Sequence, residues 1–342
     1  MSKPKLANLL DDFALGGVSR GLGIFDSAPV RSKVDARVVA VPADAIIAPH
    51  VDADIIVTHF PPNWRRIAFL ASLRLRNPKA RIIHVEHSYT QAWEALKVPN
   101  TRRFRTMLSL ALRIPHRVIC VSEGQAQWLS TVARLPRERL DVIHPYAENP
   151  GLATLPTPDF RAPRALRVGA YGRFHEAKGF DLLIKAYKAG LMPGCELILG
   201  GFGADEAALR TLADDHPGIR FYGRITDVAD FLSGCDLVAV PSRWEAYGQV
   251  ANEAREAGRP IIVSNLDGLT EQVGDAGMAI DFDDAAAVAR AFGGLTQARL
   301  EAMSQAARRA TYGCALIRQR QWAQLLEETV HPQHHRPVHA FA

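Results

Sequence analysis

The segment G-R-F-H-E-A-K-G, residues 172–179, puts two cations into one short stretch. It follows the apolar run L-R-V-G-A-Y at 166–171 and leads into a stretch of helical period at 179–189. Arg173 and Lys178 thus project from a strand-to-helix loop, beside a helix N-terminus whose amides also favour negative charge. Two fixed cations in that place suit a diphosphate. An isolated R-x4-K could be surface charge; its position on the loop favours a ligand.

A second segment, P-S-R-W-E-A-Y-G-Q-V-A-N-E-A at 241–254, follows the apolar run 236–240 and opens a helical stretch at 248–257. Glu245 and Glu253 lie eight residues apart, on the order of 10 Å at the helical rise. Carboxylates accept hydrogen bonds from sugar hydroxyls. A pair so spaced could hold two sugars on either side of a diphosphate, with the amides of Ala246, Tyr247, Gly248 and Gln249 pointing into the same space. Two solvated helix glutamates would show the same spacing.

The elements that must position these groups alternate along the chain. Apolar runs of strand length occur at 55–58, 81–85, 117–121, 166–171, 195–200, 236–240 and 260–263. Helix-period stretches separate them, at roughly 64–76, 100–113, 123–133, 179–189, 204–214, 248–257 and 285–293. Strand then helix, repeated, predicts βαβ units and parallel sheets. Residues 148–164 carry four prolines and a glycine, which hold neither a helix nor a central strand. The expectation is an α/β chain of two Rossmann-like domains: residues 1–150, a linker at 151–164, and residues 165–310. A C-terminal helix at 311–330 is expected to pack back toward the first domain, followed by a loose His-rich tail at 331–342. Ligands of such sheets sit beyond the carboxyl ends of the strands.

Composition narrows the classes. With 342 residues, 48% hydrophobic and 23% charged, the chain can bury two cores; disorder and disulfide-stapled miniproteins are excluded. No apolar stretch is long enough to span a membrane, and the N-terminal patch before Asp11 and Asp12 is too short for a secretory signal. The four cysteines (Cys120, Cys195, Cys235 and Cys314) are scattered without a C-x-x-C. They read as small buried side chains in a reducing compartment, so a cytoplasmic location is expected. The net charge of +5 is unevenly placed: residues 1–160 hold 21 Lys and Arg against 14 Asp and Glu. A basic first half suits an anionic partner, although a solvated surface would look the same.

Taken together, the second half resembles the family 4 glycosyltransferases of the GT-B fold, retaining enzymes with an E-x7-E pair. The resemblance rests on G-R-F-H-E-A-K-G-F-D-L-L-I-K-A-Y, the turn G-G-F-G at 200–203, F-Y-G-R at 221–224, the run to Pro241 and Ser242, the Glu245/Glu253 pair, and D-G-L-T-E at 267–271, in order over roughly 165–280. The family has Gly after the first Glu, where this chain has Ala246. The resemblance implies two Rossmann-like domains facing each other across a cleft that closes on the substrates. It implies that Arg173 and Lys178 neutralise the donor diphosphate, that Glu253 binds the ribose, that Glu245 contacts the transferred sugar, and that Arg224 and Ile225 lie near the base. Glu271 matches a motif glutamate without a derivable role.

The first half resembles the family more thinly. Gly16 and Gly17 match an early glycine pair close to the donor phosphates, although Gly-Gly is also a common turn. His87, in V-E-H-S-Y after the run 81–85, matches a histidine near the transferred sugar; a lone histidine there could equally be structural. His84, Glu86 and His87 fit no helical metal spacing and read as strand and loop. Asp52-Ala53-Asp54 precedes its strand and reads as a turn.

The implied activity is transfer of a hexose-type sugar from a nucleoside diphosphate, UDP or GDP, with no metal and no cofactor. Retention without an identifiable carboxylate nucleophile implies same-face substitution. The basic first domain, with Trp64, Arg65, Arg66, Arg74 and Arg76 on one helix and Arg102, Arg103, Arg105 and Arg113 around Phe104 and Met107 on the next, suits an anionic membrane surface and a polyisoprenyl-diphosphate-linked or glycan acceptor. Such an acceptor fits bacterial polysaccharide or glycolipid synthesis. No nucleic-acid module is present. An epimerase or phosphorylase on the same fold, and a non-catalytic sugar-nucleotide-binding scaffold, stay open as alternatives.

Overall fold

The computed structural model describes residues 3–12, 20–145, 149 and 151–330. The described residues divide into two units, one drawn from Met1–Glu148 and Ala315–Ala342 and the other from Asn149–Cys314.

The first unit is built on six parallel strands: β1 (Lys5–Leu10), β2 (Asp35–Ala40), β3 (Ile55–Thr58), β4 (Arg81–Glu86), β5 (Arg117–Cys120) and β6 (Leu140–Val142). Their spatial order is β2-β1-β3-β4-β5-β6, so the chain reverses direction across the sheet between β1 and β3. β3 reads I-I-V-T and is buried throughout, as a strand covered on both faces must be. The helix Trp64–Arg76 starts where Asn63 accepts a hydrogen bond from the Arg66 amide at 2.9 Å, an N-cap that satisfies one orphan donor. The helix Cys314–Val330 belongs here from Ala315 onward. Trp322 meets Phe25 edge to face, Arg318 donates to the Pro145 carbonyl at 3.1 Å, and Arg117 pairs with Glu328.

The second unit has β7 (Leu166–Arg173), β8 (Cys195–Phe202), β9 (Ile219–Gly223), β10 (Leu237–Val240), β11 (Ile261–Ser264) and β12 (Gly277–Ile280), again all parallel, in the order β12-β11-β10-β7-β8-β9. That is the doubly wound order with its switch point between β7 and β10. The proline-rich stretch expected as a linker carries no helix or strand, but it is fastened to this unit. Leu152 is fully buried, and Arg308 and Arg259 donate to the carbonyls of Ala153 and Pro156.

Two expectations for the first unit need correction. Arg66 is not on an exposed cationic face: it is 1% exposed, bonded to Asp11 at 2.6 Å and held against the rings of Phe60 and Phe69. Phe104 and Met107 are not surface anchors, because their helix turns them into the core beside Leu108 and Ala111. Arg105 is bidentate to Glu94 and Arg74 donates to the Ile114 carbonyl. Arg65, Arg76, Arg102 and Arg103 are exposed, with Arg103 over the ring of Trp64. Among the described residues no helix is long and apolar enough to cross a membrane. Cys120, Cys195 and Cys235 are buried thiols and Cys314 is partly exposed.

Candidate active site

At the switch point of the second sheet, two strand-to-helix loops lie side by side. The first leaves β7 through Gly172 and Arg173, makes one tight turn at Glu176–Lys178, and enters the helix Phe180–Lys188. Phe174 is fully buried and pins the loop, and His175 caps the turn by accepting from the Ala177 amide. The second leaves β10 at Pro241, runs through Ser242–Tyr247, and enters the helix Gln249–Glu256 from the Gly248 cap.

The loops are locked together. The Arg243 amide donates to Ala177 O at 2.8 Å, and its guanidinium is bidentate to Asp181, 2.8 Å on each arm. That hydrogen-bonded guanidinium holds the Asp181 carboxyl down to about 2. A depressed carboxyl pKa contributes stability above its unfolded value, and the contribution is lost as pH falls from about 4 to about 2. Arg243→Ala should therefore cost about 1–2 kcal/mol at pH 6, after discounting for partial exposure. The gap from wild type should narrow as the pH is lowered toward 3. Urea unfolding at the two pH values checks this; a gap independent of pH would show that the pair does not carry it.

Within this frame Lys178 and Glu245 form an ion pair, and Ser242 Oγ lies 3.4 Å from the same carboxylate. The Glu245 amide donates to Asp267 at 3.3 Å. Arg173 is exposed and, among the described residues, makes no ion pair. Glu253 sits one turn into its helix, 3% exposed, and Tyr171 of β7 donates its hydroxyl to Glu253 Oε2 at 2.6 Å. Ala246 and Tyr247 are buried, and Gln272 donates to the carbonyls of Tyr247 and Gly248, fixing the approach to the helix. Arg224 lies over the Phe202 ring, 4.5 Å from its centre, at the end of β8. Ile225 packs on Gly200. Glu271 is exposed on the turn Asp267–Gln272. The structure thus brings Arg173, Lys178, Glu245 and Glu253 to one switch point.

In the first unit His87 follows β4 and is partly buried. Its Nε2 lies 3.2 Å from Nδ1 of His59, whose own Nε2 lies 2.9 Å from Asn8 Oδ1. Burial lowers the His87 pKa to about 4 and that of His59 well below its usual value. His84 bonds Thr58 at 2.9 Å and faces Glu86, while Glu86 Oε1 accepts from the amides of Ser88 and Tyr89. Among the described residues no group of three side chains is placed to hold a metal ion. Asp52 and Asp54 secure the start of β1 through Lys5, at the opposite end of the sheet from His87. Gly16 and Gly17 lie outside the described residues, as does the His-rich tail.

Sequence reasoning passed over His59, Asn8, Tyr171, Asp181, Arg243 and Gln272. His59 carried the same signal as His87, a histidine directly after a buried strand. Tyr171, Asp181, Arg243 and Gln272 lie in or beside the motif segments, but the partners that give them a part in the site, like that of Asn8, are met only through tertiary contacts.

Two family models match the chain side by side: Glycosyltransferase Family 4 over residues 28–146 and Glycosyl transferases group 1 over residues 165–298. A D-inositol 3-phosphate glycosyltransferase of Mycolicibacterium smegmatis is 30% identical over 185 residues, which is 49% of this chain and 42% of that protein. The match thus spans less than half the length of that curated relative. Among solved structures, Anabaena Alr3699/HepE with UDP and glucose superposes with a TM-score of 0.76 at 17% identity, over 95% of this chain and 100% of that one. Sucrose-phosphate synthase of Thermosynechococcus elongatus gives 0.77 at 20%, over 97% and 100%. These likenesses define the fold as GT-B. With a glycosyltransferase model on each half, the chain belongs to the family 4 glycosyltransferases.

Proposed function

We propose that this chain is a retaining transferase that moves a hexose-type sugar from a nucleoside diphosphate to a glycan or lipid-linked acceptor, in bacterial polysaccharide or glycolipid assembly. The observation that carries this reading is the cluster at the β7–β10 switch point, with Arg173 and Lys178 where β7 runs into its loop, Glu245 on the loop after β10 and Glu253 in the helix that loop enters. The two cations neutralise the diphosphate as it departs, the step in which fixed charge does most for rate. Their presence makes a divalent metal unnecessary, so turnover is expected to survive EDTA. Glu253, oriented by Tyr171, accepts from the ribose hydroxyls. Glu245 binds the sugar, and the Arg224–Phe202 stack lies beside the base.

The bond from the anomeric carbon to the diphosphate breaks and the bond to the acceptor oxygen forms on the same face. The acceptor proton passes to the departing phosphate, so the chain need not supply a covalent nucleophile. His87 contacts the sugar as a neutral imidazole. The UDP in the HepE structure supports a uridine donor, with GDP as the alternative. The relative named for inositol 3-phosphate supports an acceptor that itself carries phosphate. A polyisoprenyl-diphosphate-linked glycan has the same chemistry. Arg65, Arg102, Arg103 and the half-exposed Trp64 form the surface of the first unit best suited to an anionic membrane. The four free thiols fit the cytoplasm, at the inner face of that membrane.

The test is incubation of the purified chain with UDP-glucose, UDP-N-acetylglucosamine and GDP-mannose, with and without a membrane lipid extract. Acceptor-dependent product of unchanged anomeric configuration is expected. An isomer of the donor formed without acceptor would indicate an epimerase, and binding without any turnover a scaffold. Co-sedimentation with liposomes should rise with anionic lipid content; sedimentation indifferent to lipid charge would refute the electrostatic membrane contact.

A further inference from the structure

The switch point of the first sheet, between β1 and β3, holds a chain of three buried or half-buried polar side chains: Asn8 on β1, His59 directly after β3, and His87 directly after β4. Asn8 and His59 are 1% and 9% exposed. The two imidazole planes are inclined by 23° with centroids 5.5 Å apart, which lets an N–H of one ring lie near the lone pair of the other.

The proton positions follow from Asn8. Its Oδ1 only accepts, so His59 Nε2, at 2.9 Å, carries the proton. A neutral imidazole has one donor and one acceptor, so His59 Nδ1 is a lone pair. It must then accept from His87 Nε2–H at 3.2 Å. The second nitrogen of His87, Nδ1, is left as a lone pair. Both rings stay neutral near pH 7, because burial outweighs the pull of Glu86 on His87, and His84 opposes protonation of both.

We propose that Asn8 and His59 are positioning residues that fix His87 as its Nε2–H tautomer, so that His87 presents Nδ1 to the substrate only as a hydrogen-bond acceptor. This rests on the reading of His87 as a sugar-contacting residue. It deepens that reading by assigning the partner chemistry: a sugar hydroxyl that donates. His87 is then unable to protonate a leaving group at neutral pH.

The experiment uses the full chain labelled with 15N-histidine, observed by two-bond 1H–15N correlation at pH 7. The two rings are identified by the signals lost in His59→Asn and His87→Asn. In the wild type both should be Nε2–H tautomers. In Asn8→Leu, close to isosteric but without an acceptor, His87 should become a tautomer mixture, and Asn8→Asp should restore the single form. In turnover assays His59→Leu should lower kcat by about 10- to 100-fold with little change in donor KM. His59→Asn, whose Oδ1 falls near the lost Nδ1, should recover most of it. An Nδ1–H tautomer of His87 in the wild type, or an unchanged tautomer in folded Asn8→Leu, would overturn the proposal. Should the tautomers be as expected while His87→Ala turns over undiminished, the relay stands and the sugar contact of His87 falls.

Discussion

Arg173→Ala lowers kcat/KM by about 100- to 1,000-fold, the range seen when one fixed charge or donor aimed at a developing anion is removed. Its position explains the size. Arg173 ends β7 at the switch point, exposed and with no ion pair among the described residues. Its charge is therefore available to a ligand rather than committed to the protein. Lys178 differs: it is paired with Glu245, so an arriving diphosphate must share it with that carboxylate. Arg173→Ala removes charge without leaving a buried partner, and stability should stay within about 0.5 kcal/mol of wild type. Steady-state kinetics together with urea unfolding separate the two effects. Turnover within a few-fold of wild type would remove Arg173 from the leaving-group site.

Gly179→Ala destabilises the second unit by about 3–5 kcal/mol and abolishes donor binding with it. Gly179 lies in the left-handed region at φ +61, and a Cβ built there would stand 1.9 Å from the Pro241 carbonyl oxygen. That oxygen is backbone, at the root of the loop carrying Ser242 and Glu245, so it cannot swing aside as a side chain would. Relief requires separating the two site loops, breaking the Arg243 contacts to Ala177 and Asp181. Gly190 is the control: its φ is +74 and nothing lies within 4 Å of a Cβ. Gly190→Ala should cost about 1 kcal/mol, the conformational penalty alone. Equal costs at the two positions would refute the steric argument.

The central strands were legible because parallel strands buried on both faces read as unbroken apolar runs. The run-length reading passes over β1, β2, β6, β9 and β12, and four of these are sheet edges. An edge strand such as D-A-R-V-V-A is largely exposed, and its composition does not stand out from loops. β1 is central but is interrupted by Asn8, the residue that begins the imidazole chain. Arg173, Lys178 and Glu245 were legible because they lie where a strand gives way to a loop, and Glu253 because it lies in the helix that such a loop enters, the places where the fold puts ligands. Arg66 misled because helical spacing cannot show that Phe60, from a loop, will cover it. Tyr171 looks like one more apolar strand residue until its hydroxyl is found against Glu253, 82 positions away.

The most direct test of a donor site in the second unit is thermal unfolding with UDP, GDP, ADP and CMP, each in large excess, on the wild type and on Arg173→Ala combined with Glu253→Gln. A ligand at about 100 times its Kd adds about 2.7 kcal/mol, enough to raise the midpoint by several degrees. One nucleoside diphosphate should stabilise the wild type by that amount and leave the double variant unmoved. No shift with any nucleotide, or the same shift in both proteins, would contradict a nucleotide-sugar site built on these residues.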